Sequence, residues 1–302
     1  MVELSASPRH QDFFERRYGG DTLNTTVYLA RLLGGSGINV GYATRLGDDR
    51  LSRWMLDGWK SEGIDCSLVQ IVEGCLPGLY MIDTNEEGER SFTYWRGEAP
   101  VRQLFTRDDD PLLIRLSRSD ALYTSGVTLA ILGERGRAAL IALMMERKQA
   151  GAMVAFDTNY RSRLWHRAQA RPWFDAAIAA STICLPSHED LASIFAEHAT
   201  PEDWMARLAR MGSKEIVLKT GGEAAWTWAG DERDIIPLER FDNPLDTTGA
   251  GDSFNAGYLA SRLKGGDVRS SVIAAHRLAS LVVRFPGAII PRSAMESLSR
   301  RG

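Results

Sequence analysis

Short apolar runs alternate with longer amphipathic stretches along most of the chain. Residues 38–44 read as a strand. The spacing of Leu51, Trp54, Met55, Gly58 and Trp59 predicts a helix, with Gly63 as its stop. A strand is expected over 121–124 and a helix near 135–150. The run 152–156 is continuously apolar and ends in Asp157. Runs 182–185 and 215–218 repeat that pattern, with a helix predicted over 203–211 between them. This alternation predicts βαβ units, hence a mostly parallel sheet with helices on both faces. Ligands in such sheets bind beyond the carboxyl ends of the strands. Asp157, Asn159, Ser187 and Lys219, just past the apolar runs, are therefore the polar groups to watch.

One region breaks the rhythm. Segments 79–83 and 91–96 alternate with period two around Asn85-Glu86-Glu87-Gly88, the pattern of an antiparallel hairpin. That period places Phe92, Tyr94 and Arg96 on one face. Such a hairpin is either a lid over a cleft or an interface element. No internal repeat and no Pro/Gly-rich linker divides the chain.

The richest segment is Asp246-Thr247-Thr248-Gly249-Ala250-Gly251-Asp252-Ser253-Phe254. Phe254, Tyr258, Leu259 and Leu263 follow it at helical spacing, so a turn of small residues opens an amphipathic helix. The N–H groups and positive dipole end at a helix start attract anions. Gly249, Ala250 and Gly251 leave the backbone open to a phosphate, and Asp252 beside them could take a proton from an attacking hydroxyl. The local pattern equally fits a tight turn with Asp252 as a cap. A Walker loop is absent. Gly35-Ser36-Gly37-Ile38-Asn39-Val40-Gly41 misses dinucleotide spacing by one residue and precedes a strand instead of following one.

Composition narrows the field further. The 302 residues are 44% hydrophobic and 25% charged, as in globular proteins. With 36 basic and 39 acidic side chains the net charge is −3, so no basic stripe marks a nucleic-acid binder. No apolar run approaches bilayer length, and Met1-Val2-Glu3-Leu4 has no signal-peptide character. Neither nucleic acid nor membrane is an expected partner. Three scattered cysteines, Cys66, Cys75 and Cys184, read as reduced thiols in the cytoplasm.

The run DTTGAGDSFNAGYLA resembles the C-terminal signature of the ribokinase-like (PfkB) carbohydrate kinases. Gly19-Gly20-Asp21-Thr22-Leu23-Asn24 resembles their first signature, and Leu46-Gly47-Asp48-Asp49 a segment between the two. The likeness runs from about residue 2 to about 295. It implies a three-layer α/β/α fold with a mostly parallel central sheet, in a single domain of residues 1–302. A small β lid would come from about 5–18 and 74–97. GGDTLNTTVYLARL, Leu79-Tyr80, Tyr94-Trp95-Arg96, Asp157-Thr158-Asn159-Tyr160-Arg161 with Leu164-Trp165, and Pro286-Gly287-Ala288-Ile289-Ile290-Pro291 are most similar to the ketodeoxygluconate kinases within that family.

The resemblance implies ATP-dependent phosphorylation of 2-keto-3-deoxygluconate at its terminal hydroxyl. Asp252 would be the base, with the Gly249, Ala250 and Gly251 amides as the anion hole. Gly20, Asn24, Tyr80, Tyr94, Arg96, Arg161 and Asp252 would take the sugar acid. Arginine forks suit its carboxylate. Ser187, Lys219, Gly221, Gly222, Gly249, Gly251 and His276 would contact ATP, although a histidine at position 276 is equally compatible with a structural role. Trp226 and Trp228 read as strand packing.

Some positions depart from the family pattern. An NxxE segment appears as Ser187-His188-Glu189-Asp190, so Asp190 is expected to hold Mg2+ through water. A monovalent cation, K+, near Asp246, Thr248 and Gly287 and a homodimer through the lid are further expectations. Residues 1–4 resemble only the end of the family's first strand. A kinase for a neutral sugar such as fructose or ribose, and an inactive sugar-acid or nucleotide sensor, remain as alternatives.

Overall fold

In a computed structural model, which describes residues 1–7, 10–84, 90–107, 110–241 and 243–296, the chain divides into two units, Met1–Leu104 and Phe105–Gly302.

The first unit contains β1 (Val2–Ser7), β2 (His10–Tyr18), α1 (Asp21–Leu33), β3 (Thr44–Gly47), α2 (Arg50–Ser61), β4 (Val69–Val72), β5 (Leu79–Thr84) and β6 (Arg90–Trp95). Four of the strands form a sheet in the order β2-β1-β5-β6. β5 and β6 pair antiparallel, with Tyr80 opposite Tyr94 and Ile82 opposite Phe92, as the period-two pattern requires. The turn at 85–88 lies outside the described residues. Helix α1 buries every residue from Leu23 to Ala30 and also Leu33, so its middle is enclosed on all sides. Helix α2 starts where Asp49 accepts from the Leu51 and Ser52 amides, and it buries Met55 and Trp59.

One expectation is corrected here. The strand expected over 38–44 forms only at its end, as β3. Upstream, the chain touches Asp65 through a single bridge at Gly41, with the Tyr42 amide on the Asp65 carbonyl and the Asp65 amide on Val40. A ladder needs a partner strand, and at this point the partner segment turns into a short 3-10 helix at Cys66–Leu68. Residues 1–4, which resemble the end of the family's first strand, lead into β1 of the four-stranded sheet, which pairs antiparallel with β2 and parallel with β5.

The second unit holds α3 (Pro111–Leu116), β7 (Ala121–Ser125), α4 (Gly126–Ile131), α5 (Glu134–Gln149), β8 (Met153–Asp157), α6 (Arg167–Ala180), β9 (Ile183–Cys184), α7 (His188–Phe195), α8 (Pro201–Arg210), β10 (Glu215–Lys219), β11 (Ala224–Ala229), β12 (Glu232–Pro237), α9 (Ala250–Leu263) and α10 (Val268–Val282). Its sheet runs β12-β11-β10-β9-β8-β7. The β7–β8, β8–β9 and β9–β10 pairs are parallel, and β11 and β12 extend the sheet antiparallel. Val154, Phe156, Ile183, Cys184, Ile216 and Leu218 are all buried, as expected for strands covered on both faces. Helices α5 and α6 pack on β8, α8 on β10 and β11, and α10 on β11 and α9. The result is the mostly parallel α/β/α layering that the alternation predicted.

Helix α9 differs from its expected form. Every residue from Ser253 to Ala260 is buried, whereas Leu263 is only half-buried. It is therefore enclosed on all sides and not merely amphipathic. Gly257 permits this, because an added Cβ would lie 2.7 Å from the Ala275 Cα of α10. At the far end of α9, Arg262 grips Glu215 at the start of β10 through a fork, Nε–Oε1 3.0 Å and Nη2–Oε2 2.7 Å. The Tyr258 hydroxyl donates to the same carboxylate at 2.7 Å.

Candidate active site

Asp246 folds the chain into the mouth of α9. Its Oδ1 accepts from the Thr248 amide at 3.0 Å and its Oδ2 from the Gly287 amide at 2.6 Å. One buried carboxylate thus clasps two loops. Gly249 caps the helix at φ 77°, and an added Cβ would lie 2.9 Å from the Ala288 Cα, Cβ and O. A side chain is excluded there by both conformation and space. Gly251 is different, since its Cβ would meet nothing within 4 Å. Asp252 lies in the first turn, half-buried, while the cap position belongs to Gly249, which has no side chain. Asp252 is therefore not itself the N-cap residue. What remains is a carboxylate beside a helix start whose first amides lack intrahelical acceptors.

A second group forms at the carboxyl ends of the parallel strands. Lys219 Nζ, at the end of β10, donates to Asp157 Oδ1 at 3.1 Å and to Asn255 Oδ1 at 3.0 Å. Asn255 Nδ2 donates to the Tyr123 hydroxyl of β7 at 3.2 Å. The Thr158 hydroxyl donates to Asp190 Oδ2 at 2.9 Å, and Ser187 caps α7 by accepting from the Asp190 amide at 3.1 Å. Burial first, and then the charge of Asp157, push the Asp190 carboxyl above the usual carboxylate range; Thr158, Ser187 and Lys219 oppose the shift. Burial pushes the nearby Cys184 thiol up to about 12, which leaves it inert.

No group of three or more metal-ligating side chains occurs among the described residues. Mg2+ at phosphate sites commonly uses one or two carboxylates plus phosphate oxygens. Asp190, a buried carboxylate near Asp157, has the chemistry for that arrangement.

Other expected contacts are locally engaged. The His276 Nε2–H donates to the Glu239 carbonyl at 2.8 Å. Arg161 is exposed and donates to the Tyr160 carbonyl at 3.2 Å. Gly221 and Gly222 follow Lys219 at φ 76° and 95°, and the Thr220 hydroxyl closes that loop on the Ala224 carbonyl at 2.7 Å. Trp228 packs on its strand as expected, with Nε1 on the Gly230 carbonyl and the Arg233 guanidinium 3.9 Å from its ring.

Within the first unit, Gly20 caps α1, and its carbonyl accepts from the Asn24 amide at 2.7 Å. Asn24 and Tyr80 are buried. The Tyr80 and Tyr94 rings lie 5.8 Å apart, and the Arg96 guanidinium sits 4.2 Å from the Tyr94 ring. Burial pulls the Arg96 guanidinium down, against the charge of Asp21. The Tyr80 hydroxyl donates to the buried Glu3 carboxylate.

Sequence reasoning singled out neither Glu3 nor Asn255. Glu3 carried a signal, an acid inside the apolar alternation Val2-Glu3-Leu4. Asn255 carried one too, a polar side chain three residues past Asp252 and set between the apolar Phe254 and Ala256.

The carboxyl ends of the parallel strands thus meet a glycine-started helix, the place where α/β sheets bind ligands. Residues 2–295 match the pfkB family carbohydrate kinases, and the chain belongs to that family. It is 39% identical over 300 residues to the 2-dehydro-3-deoxygluconokinase of Escherichia coli, covering 98% of this chain and 96% of that one. Among solved structures, a PfkB protein from Polaromonas sp. matches with TM-score 0.83 at 26% identity, covering 98% of this chain and 96% of that one. A putative ribokinase II from E. coli in complex with ATP and Mg2+ matches with TM-score 0.84 at 21% identity, covering 100% and 96%.

Proposed function

We propose that this chain is an ATP-dependent sugar-acid kinase that converts 2-keto-3-deoxygluconate to its 6-phosphate. The carrying observation is the α9 mouth, where Asp252 stands beside a helix start of two glycines and an alanine, in a chain so similar to a 2-dehydro-3-deoxygluconokinase. The test is turnover with ATP followed by identification of the product by phosphorus NMR. A single phosphomonoester on the terminal carbon is expected. Release of inorganic phosphate without a sugar phosphate would refute the reading.

When bound, ATP supplies the phosphoryl group and Mg2+ offsets its negative charge. Asp252 accepts the proton of the attacking hydroxyl. The amides of Gly249, Ala250 and Gly251 donate to the phosphoryl oxygens as charge spreads over them. Ser187, Gly221, Gly222 and His276 contribute to nucleotide binding, and Asp190 holds Mg2+ through water. Gly20, Asn24, Tyr80, Tyr94, Arg96 and Arg161 contribute to sugar-acid binding. The arginines supply planar forks that a neutral sugar would not need.

Three finer readings accompany this one. Homodimers form through the four-stranded sheet, supported by its exposed Phe13, Phe14, Tyr94 and Trp95 and its open edges at β2 and β6. A K+ ion near Asp246 and Thr248 steadies the clasp between the two loops. The protein works in the cytoplasm; no described helix is long and apolar enough to cross a membrane.

A further inference from the structure

We propose that Lys219 is a positioning residue for phosphoryl transfer, a strut that holds Asn255 of α9 against Asp157 of β8 and so sets the helix mouth. The inference rests on the kinase reading and deepens it, replacing the expected contact between Lys219 and nucleotide with a role inside the chain.

An ammonium has three N–H donors. Two of those on Lys219 are committed, to Asp157 Oδ1 at 3.1 Å and to Asn255 Oδ1 at 3.0 Å. The side chains of the ion pair are only 17% and 5% exposed. Drawing the ammonium off Asp157 towards a phosphate would leave that buried carboxylate without its counter-charge, which is costly, so from this position only the third N–H could face a ligand. Asp190 adds a second carboxylate close enough to feel Asp157, so the ammonium is the local neutraliser.

Asn255 is fully buried, and both halves of its amide are used. Its carbonyl oxygen must face the ammonium, which can only donate, so its NH2 faces the Tyr123 hydroxyl. The amide therefore joins the middle of β7 and the end of β10 to α9. Asn255 lies three residues after Asp252, within one turn and on a neighbouring face. Arg262 and Tyr258 fix the other end of the helix to Glu215. β10 thus tethers α9 at both ends of the strand, Glu215 to the helix tail and Lys219 to its mouth. Misplacing a catalytic group by about 1 Å can cost roughly 100-fold in rate.

The test compares Lys219→Met, Asn255→Leu, the double variant and Asn255→Asp in the full chain. Each is measured for kcat, for KM of ketodeoxygluconate, for ATP affinity by calorimetry, and for hydrogen exchange of the 250–255 amides. Both single variants are expected to lose kcat by about 30-fold or more while ATP affinity stays within about threefold. The double variant should be no worse than the weaker single one, and Asn255→Asp, which keeps the acceptor, should recover most of the rate. Exchange at 250–255 should quicken in both single variants. A tenfold or greater loss of ATP affinity in Lys219→Met alone would overturn the proposal, as would unchanged kcat in Asn255→Leu or multiplicative losses in the double variant. If Asn255→Leu does not fold, Tyr123→Phe takes its place in the same comparison. Wild-type protein that binds ATP but leaves the sugar acid unchanged counts against the substrate reading alone. The strut is then judged on exchange, and unaltered exchange in both variants defeats it.

Discussion

Gly249 and Ala288 lie in direct backbone contact, so close that a Cβ on Gly249 would sit 2.9 Å from three atoms of Ala288. The contact explains why a glycine-led turn near residue 249 and the Pro286-Gly287-Ala288 segment belong to one device. Gly249→Ala must bear a positive φ and a clash together. A loss of about 2–4 kcal/mol is expected in urea unfolding. Gly251→Ala, facing open space, should unfold like wild type while its KM for ATP rises, because the added methyl occupies the room proposed for phosphate. If Gly251→Ala leaves ATP kinetics untouched, the phosphate does not approach that turn.

Asp252→Asn keeps the shape of the first turn but removes the proton acceptor. kcat should fall by roughly 100- to 10,000-fold, with ATP affinity retained in calorimetry. Turnover close to wild type would remove the base assignment.

Arg96→Ala and Arg161→Ala delete guanidinium forks. Each should raise the KM for ketodeoxygluconate by at least about tenfold while the KM for ATP changes little. Equal losses for both ligands would assign these arginines to general stability. Arg96 carries an added packing role against the Tyr94 ring, so Arg96→Lys should also be impaired, since a lysine lacks the planar face.

Asp190 offers a pH test. Its carboxyl is held above the usual range by burial and by Asp157, so the folded state binds its proton more tightly than the unfolded chain does. The stabilising contribution of this raised value is full below the unfolded carboxylate pKa and is lost as pH rises through the folded one. Above the unfolded carboxylate pKa the raised value therefore costs the folded state stability. Asp190→Asn should melt higher than wild type at pH 7, and the difference should shrink as pH falls through the carboxylate range. A Tm difference that is constant with pH would contradict the shift. If Asp190 also serves Mg2+, the same variant should require more Mg2+ for half-maximal rate.

The βα rhythm was legible because continuous apolar runs such as 152–156, too short for a helix of their own, fit strands covered on both faces. The α9 mouth was legible from its small residues. The strand at 38–44 was misplaced because apolar pattern does not reveal where a partner strand ends, and here the neighbour of Gly41 turns away after Asp65. Lys219 was visible as a polar group past a strand, yet its partners were not. Asp157 lies 62 residues away and Asn255 lies 36 away, and only the folded sheet brings them together. The full burial of α9 was hidden for a similar reason. Gly257 reads as a weak helix position until Ala275 is seen pressed against it.

The most direct test of the sugar-acid kinase is the ratio of kcat/KM among candidate acceptors, measured as ADP release with purified protein at fixed ATP and Mg2+. Ketodeoxygluconate should exceed fructose and ribose by at least about 100-fold, the discrimination expected when a site built for a carboxylate meets a substrate that lacks one. Comparable or faster turnover of either neutral sugar would contradict the account.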